Sequence, residues 1–201
     1  MAKYFYHGAE IITPFTITSN EPLFDMTTVS LKTDRASQGY QRWELSFNVV
    51  GTKNTEADLL LSSVNNLTNV SQMVMPQLPS IDANSSYSGI TNNSISHSAV
   101  NSGDTSTVLG SFSGVIPKGT FFNFDGQDKL YIATSAVDGT SNTRVLSFYP
   151  AAKSYSGTGQ PVKIKGSCNF SYYINIDNQT GITYSDGVLS NLGTISLVEA
   201  V

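Results

Sequence analysis

His7, His97 and Cys168 are the side chains of this chain best suited to metal or nucleophilic chemistry, and they are its whole stock of histidine and cysteine. A structural zinc site takes four such ligands and a catalytic one three, often clustered. None of these residues has a partner at metal-ligand spacing, and a single cysteine forms no internal disulfide. "FDGQDK" sets Asp125 and Asp128 around a glycine, the residue types of a calcium loop. The EF-hand ladder and its closing glutamate are missing, so a tight turn is the better reading. No G-x-S-x-G, H-E-x-x-H or phosphate-cradling glycine loop occurs, and Asp177 stands alone in "NIDNQ". The expectation is a protein that is not an enzyme, with no catalytic residue, no metal and no cofactor.

Two other sets of residues offer binding rather than catalysis. Phe121, Phe122 and Phe124, with Tyr131, Phe148 and Tyr149, crowd one stretch of the chain. Such rings either fill a small barrel or, as Phe121, Tyr131 and Tyr149 would if exposed, meet a sugar, a base or a partner. Arg42, Glu44, Ser46 and Asn48 form the polar half of an alternating strand and are candidates for a subunit interface.

The elements that must position these residues are mostly strands. "PFTITS", "TTVSLKTD" and "QRWELSFNVV" are strand candidates, the last with Trp43, Leu45, Phe47 and Val49 on one face and "RASQGY" as the turn before it. Ala57, Leu60, Leu61, Val64 and Leu67 recur at helical spacing behind an Asn54 or Thr55 cap, which predicts one helix near 55–67. A Ser/Asn-rich segment near 80–104 follows, with weak edge strands around 87–90 and 95–100. "IPKGT", "DGQD" and "VDGTSN" are turn signals between short strands such as "KLYIATS" and "TRVLSFYP", a spacing that suits a small closed barrel. "VKIKGSCNFSYYINID" reads as a long strand holding Cys168 as a small buried hydrophobe. "GTISLVEAV" is apolar enough to be paired into a sheet.

The expected fold class is therefore mainly β. A β-sandwich-like domain with one helix is formed by 1–79 and 161–201 together, and a small barrel of 80–160 is inserted between them.

Composition narrows the function classes. Only 13% of the residues are charged, against the quarter usual in soluble domains, while 39% are hydrophobic. Ser, Thr, Asn and Gly supply the polar surface, and such a surface is cheaper to desolvate against neighbouring subunits. A net charge of −4 without a basic run argues against binding nucleic acid through phosphate neutralisation. "MAKYFYHGAEII" lacks the apolar core of a signal peptide, and no apolar run has membrane-spanning length, so synthesis in a cytoplasm without membrane insertion is expected. The N-x-S/T triplets at Asn66, Asn69, Asn84, Asn92, Asn169 and Asn178 read as chance in so Asn- and Ser-rich a chain.

The order of motifs carries a resemblance. "VSLKTDRASQGYQRWELSFNVV", a helix, "MPQLP", a barrel with "IPKGTFFNFDGQDKLYIATSAV" and "RVLSFYP", and the ending "GTISLVEAV" resemble distal tail and baseplate-hub (Dit-like) proteins of long-tailed bacteriophages. The resemblance implies an OB-like identity for the inserted barrel and a homo-oligomeric ring, a hexamer in most members, at the distal end of the tail tube. It implies a virion protein of the tail tip or baseplate, contacting the tail tube protein and baseplate-hub or tail-fibre/receptor-binding proteins. DNA would pass through its lumen without specific binding. The segment near 80–104 has no counterpart in the pattern. A carbohydrate-binding module using the aromatic barrel is the alternative, and a neck or capsid component of the same particle a third reading.

Overall fold

Alternation in "QRWELSFNVV" decides the first sheet. In the computed structural model Trp43, Leu45, Phe47 and Val49 are buried, while Arg42 is exposed and Glu44, Ser46 and Asn48 are half-buried. Burying side chains of this size contributes about 1.5–3 kcal/mol each. The structure describes residues 3–27, 29–31, 33–37, 39–50, 68–77, 89–90, 94–175, 183–185, 188–191 and 194–201. The expected helix near 55–67 lies outside the described residues.

The chain is mainly β. Its first strands are β1 (Phe5–Tyr6), β2 (Ala9–Asn20), β3 (Leu23–Thr27), β4 (Thr33–Ser37), β5 (Arg42–Val50) and β6 (Ser71–Val74). The next group is β7 (Ser94–Ile95), β8 (Ser106–Val108), β9 (Val115–Ile116), β10 (Phe121–Phe124), β11 (Tyr131–Ala133), β12 (Val137–Asp138) and β13 (Val145–Tyr149). Last come β14 (Val162–Ile164), β15 (Asn169–Ile174), β16 (Thr183–Ser185), β17 (Val188–Asn191) and β18 (Ile195–Glu199).

Six strands form the first sheet in the order β1-β2-β5-β18-β15-β6. β18 thus lies between β5 and β15, with Leu197 opposite Leu45 on one side and Ile174 on the other. A bulge between Ile12 and Phe15 shifts the β2–β5 register, and Pro14 sits within it, where its missing N–H costs the ladder least.

The second sheet runs β7-β14-β10-β11-β13-β8, with every pairing antiparallel. Its two edges meet through an antiparallel bridge between His97 and Leu109 and the bonds Ser98 N to Val108 O (2.8 Å) and Gly110 N to Ser96 O (2.7 Å). The sheet therefore curls into a nearly closed barrel filled by Phe122, Phe124, Tyr131, Leu146, Phe148, Val162 and Ile164. The "IPKGT" turn works because Gly119 takes φ +89°, the left-handed value a tight turn needs before Thr120 N reaches back to Pro117 O.

Two expectations about strands change. "TTVSLKTD" is not a strand through its middle. Val29, Ser30 and Leu31 form the turn of the β3–β4 hairpin, and Arg35, Ala36 and Ser37 of the expected "RASQGY" turn belong to β4. "VKIKGSCNFSYYINID" is divided by a 3-10 turn at Lys165–Ser167, where Lys165 takes φ +52°. Its first part, β14, pairs with β7 and β10 in the barrel, and its second, β15, joins the first sheet.

Candidate functional site

The first sheet and the barrel meet across one row of side chains. Phe121, Ile132 and Tyr149 are cross-strand neighbours on β10, β11 and β13, and all three pack into the core of the first sheet. Trp43 meets Phe121 edge-on at 5.5 Å between ring centroids and Tyr149 at 6.3 Å. The next position along each strand points inward, so Phe122, Tyr131 and Phe148 lie within the barrel. Of the aromatic contact candidates, Phe121 and Tyr131 are therefore buried. Tyr149 is half-buried and donates its hydroxyl to Glu21 at 2.6 Å. The structure brings Phe121 and Tyr149 together on the barrel's outer face and separates Tyr131 from them.

Polar groups lock the same junction. Glu199 is buried on β18, and its Oε2 accepts from Lys129 Nζ at 2.5 Å and from Trp43 N at 3.0 Å. Its Oε1 accepts from Leu130 N at 2.6 Å, and the Trp43 indole N–H donates to Leu130 O at 2.9 Å. Lys129 Nζ also donates to Gln41 O (2.7 Å) and Gln41 Oε1 (2.6 Å), which uses all three of its donors. Burial pushes the Glu199 carboxyl up and the Lys129 ammonium down from their ordinary ranges, and the attraction within the pair opposes both shifts. Gln77 repeats the device, exchanging Nε2 to Phe121 O (2.9 Å) and Phe121 N to Oε1 (3.0 Å), so that one side chain imitates a strand partner.

The Lys129–Glu199 pair joins residues 70 positions apart, a separation that local sequence pattern cannot span. One signal existed. Ile195, Leu197 and Glu199 share a face by alternation, so an acid stood on the apolar side of the final strand.

Above the lock lies a cleft of about 830 Å³, lined by Asn20, Tyr40, Arg42, Ser102, Lys129 and Lys153 among others. Arg42 and Lys153 are exposed, and neither side chain makes an ion pair among the described residues. Of the proposed interface residues, Arg42 is at this cleft, opposite Asn20 in the β2–β5 register. Glu44 accepts from Asn20 Nδ2 at 3.1 Å. Ser46 and Asn48 continue along the same face opposite Thr16 and Ile12, so the structure aligns all four in one row.

No family model matches the chain, and no curated protein does.

The remaining chemistry-bearing residues are placed apart. His7 contacts the Tyr172 hydroxyl at 3.1 Å on the first sheet. His97 is buried at the barrel seam, facing Ser98 O and, at 2.5 Å, Gln160 O. Cys168 is fully buried, and burial raises its thiol well above the ordinary range, which leaves it without thiolate character. Among the described residues no group of three or more His, Cys, Asp or Glu is arranged to hold a metal ion. Asp125 pairs with Lys163 at 2.7 Å, and that contact holds its carboxyl below the usual range.

Proposed function

We propose that this chain is a structural virion protein that forms a ring, a hexamer by resemblance, at the distal end of a bacteriophage tail tube. The observation that carries the reading is the β3–β4 hairpin. Its strands pair only with each other among the described residues, and Phe24 and Met26 stand 63% and 66% exposed on one of its faces. At its turn Val29 and Leu31 are almost wholly exposed. An isolated two-stranded ribbon is marginal in water, and this density of exposed apolar side chains marks a surface that another polypeptide covers. A head-to-tail contact of that kind closes into a ring when the rotation between subunits fits.

Sheet order supports the accompanying division of the chain. The two ends of the chain would build the ring-forming domain, since β2, β5, β15 and β18 share one sheet, and the barrel would be the inserted domain; because β14 pairs within the barrel, its boundary falls after Ile164 rather than at the expected residue 161. The row Arg42, Glu44, Ser46 and Asn48 would meet the neighbouring subunit or line the lumen. An acidic chain suits a wall past which DNA slides without adhering. The tail tube protein and baseplate or receptor-binding proteins would meet the two faces of the ring.

Light scattering coupled to size exclusion, followed by negative-stain imaging, tests the proposal. Annular particles of one subunit number are expected, and a strict monomer at high concentration overturns it.

A further inference from the structure

The cleft between the first sheet and the barrel has the features of a ligand site; Arg42, the end of the candidate interface row, lines it, so ligand binding requires that end of the row to stay open in the ring. The cleft's volume of about 830 Å³ falls within the range of small-molecule pockets. Its floor is fixed, because Gln41 and Lys129 are held by the buried Glu199 network. Lys129 has no donor left, so among the described residues the positive charge offered to an incoming molecule comes from Arg42 and Lys153.

The remaining groups restrict the ligand further. Asn20 gives its amide N–H to Glu44, and Ser102 gives its hydroxyl proton to Lys153 O at 3.0 Å. Asn20 Oδ1 and Ser102 Oγ still offer acceptor lone pairs and the second Asn20 amide N–H a donor, a set that suits hydroxyl groups, which both give and accept. Tyr40, 75% exposed, and Pro22 also line the cleft, so an aromatic ring is open to a ligand. An acidic sugar supplies all three of these: an anion for the cations, hydroxyls for the polar groups and a C–H face for an aromatic ring.

We propose that this cleft binds an acidic saccharide of one or two rings, its carboxylate held by Arg42 and Lys153 and one sugar face on Tyr40.

Saturation-transfer NMR and calorimetry on the full chain test this. The probes are a galacturonic acid disaccharide, a sialic acid glycoside, their neutral methyl esters, sodium sulfate and a short polyglutamate peptide. At least one of the two acids is expected to bind, with its methyl ester weaker by about tenfold or more, as loss of a charge-assisted contact implies. R42A/K153A and Y40A should each weaken that binding by about tenfold or more. Both alter exposed residues, so an unchanged far-UV spectrum and melting temperature verify the fold. Failure of both acids to bind at millimolar concentration overturns the proposal, as does binding that the variants leave intact. Sulfate binding as strongly as the sugars would reduce the cleft to a bare anion site, and equal displacement by polyglutamate would assign it to an acidic protein segment. Either result overturns the saccharide assignment, and neither bears on whether rings form.

Discussion

The carboxylate of Glu199 and the ammonium of Lys129 stand 2.5 Å apart, both buried, and they come from the first sheet's last strand and the barrel's 125–130 loop. Removing one partner leaves a buried charge with nothing opposite it, which typically costs about 3–5 kcal/mol. Lys129→Ala and Glu199→Ala should each lower stability by that amount in urea denaturation. K129M/E199Q should be less destabilised than the sum of K129M and E199Q by about 1–3 kcal/mol. Simple additivity in that cycle would show that the two groups act independently.

Alkaline pH should destabilise the barrel through Tyr131. Burial raises its hydroxyl from 10.0 to about 12. The unfolded chain then loses this proton before the folded chain does, so the stability it provides is complete below about pH 10 and is lost as pH rises toward 12. Buried Tyr172 is raised for the same reason and adds in the same direction. Melting temperatures between pH 9 and 12, read beside tyrosinate absorbance, should fall across this window. Y131F should fall less steeply, while starting lower by about 1–2 kcal/mol because Gln127 Oε1 and Lys153 N lose their partner.

Gly139→Ala should be costly although only a methyl group is added. A Cβ there would lie 2.2 Å from Phe112 O and 2.6 Å from the Phe112 ring. Backbone has to move to admit it, and overpacking of this kind costs about 1–3 kcal/mol. Thermal unfolding of G139A checks this, with G159A as the control, because Gly159 has open space around its added methyl.

F24S/M26S should shift the assembly toward monomers in light scattering while each subunit keeps its secondary structure. Both side chains are already mostly exposed, so surface substitution should change intrinsic stability by only about 0.5 kcal/mol. Rings that persist at unchanged concentration dependence would remove the hairpin from the interface.

The mainly β character was legible because strand period is a local property. Trp43, Leu45, Phe47 and Val49 announced their face without any knowledge of their neighbours, and the apolar run ending at Leu197 announced a paired strand. Local period says nothing about which strand is the partner. "VKIKGSCNFSYYINID" alternates well throughout, yet its two halves pair with different sheets, separated by a single turn at Lys165. "TTVSLKTD" has strand composition, but its Val29 and Leu31 sit at a hairpin tip in water, where propensity is outweighed by the pairing of β3 with β4. The cleft was invisible for a related reason. Arg42 could be picked out as polar and outward, but Lys153 and Ser102 join it only through the closure of the barrel against the sheet.

The position of β18 between β5 and β15 also has a consequence for how the molecule is made. A ribosome delivers every barrel strand, from residue 94 to 164, before it delivers residues 195–199. The barrel can therefore mature during translation, whereas the sheet around Trp43 waits as two separate halves for the strand that joins them. Nascent chains arrested before that strand emerges should protect the barrel from protease and leave Trp43 accessible to quencher.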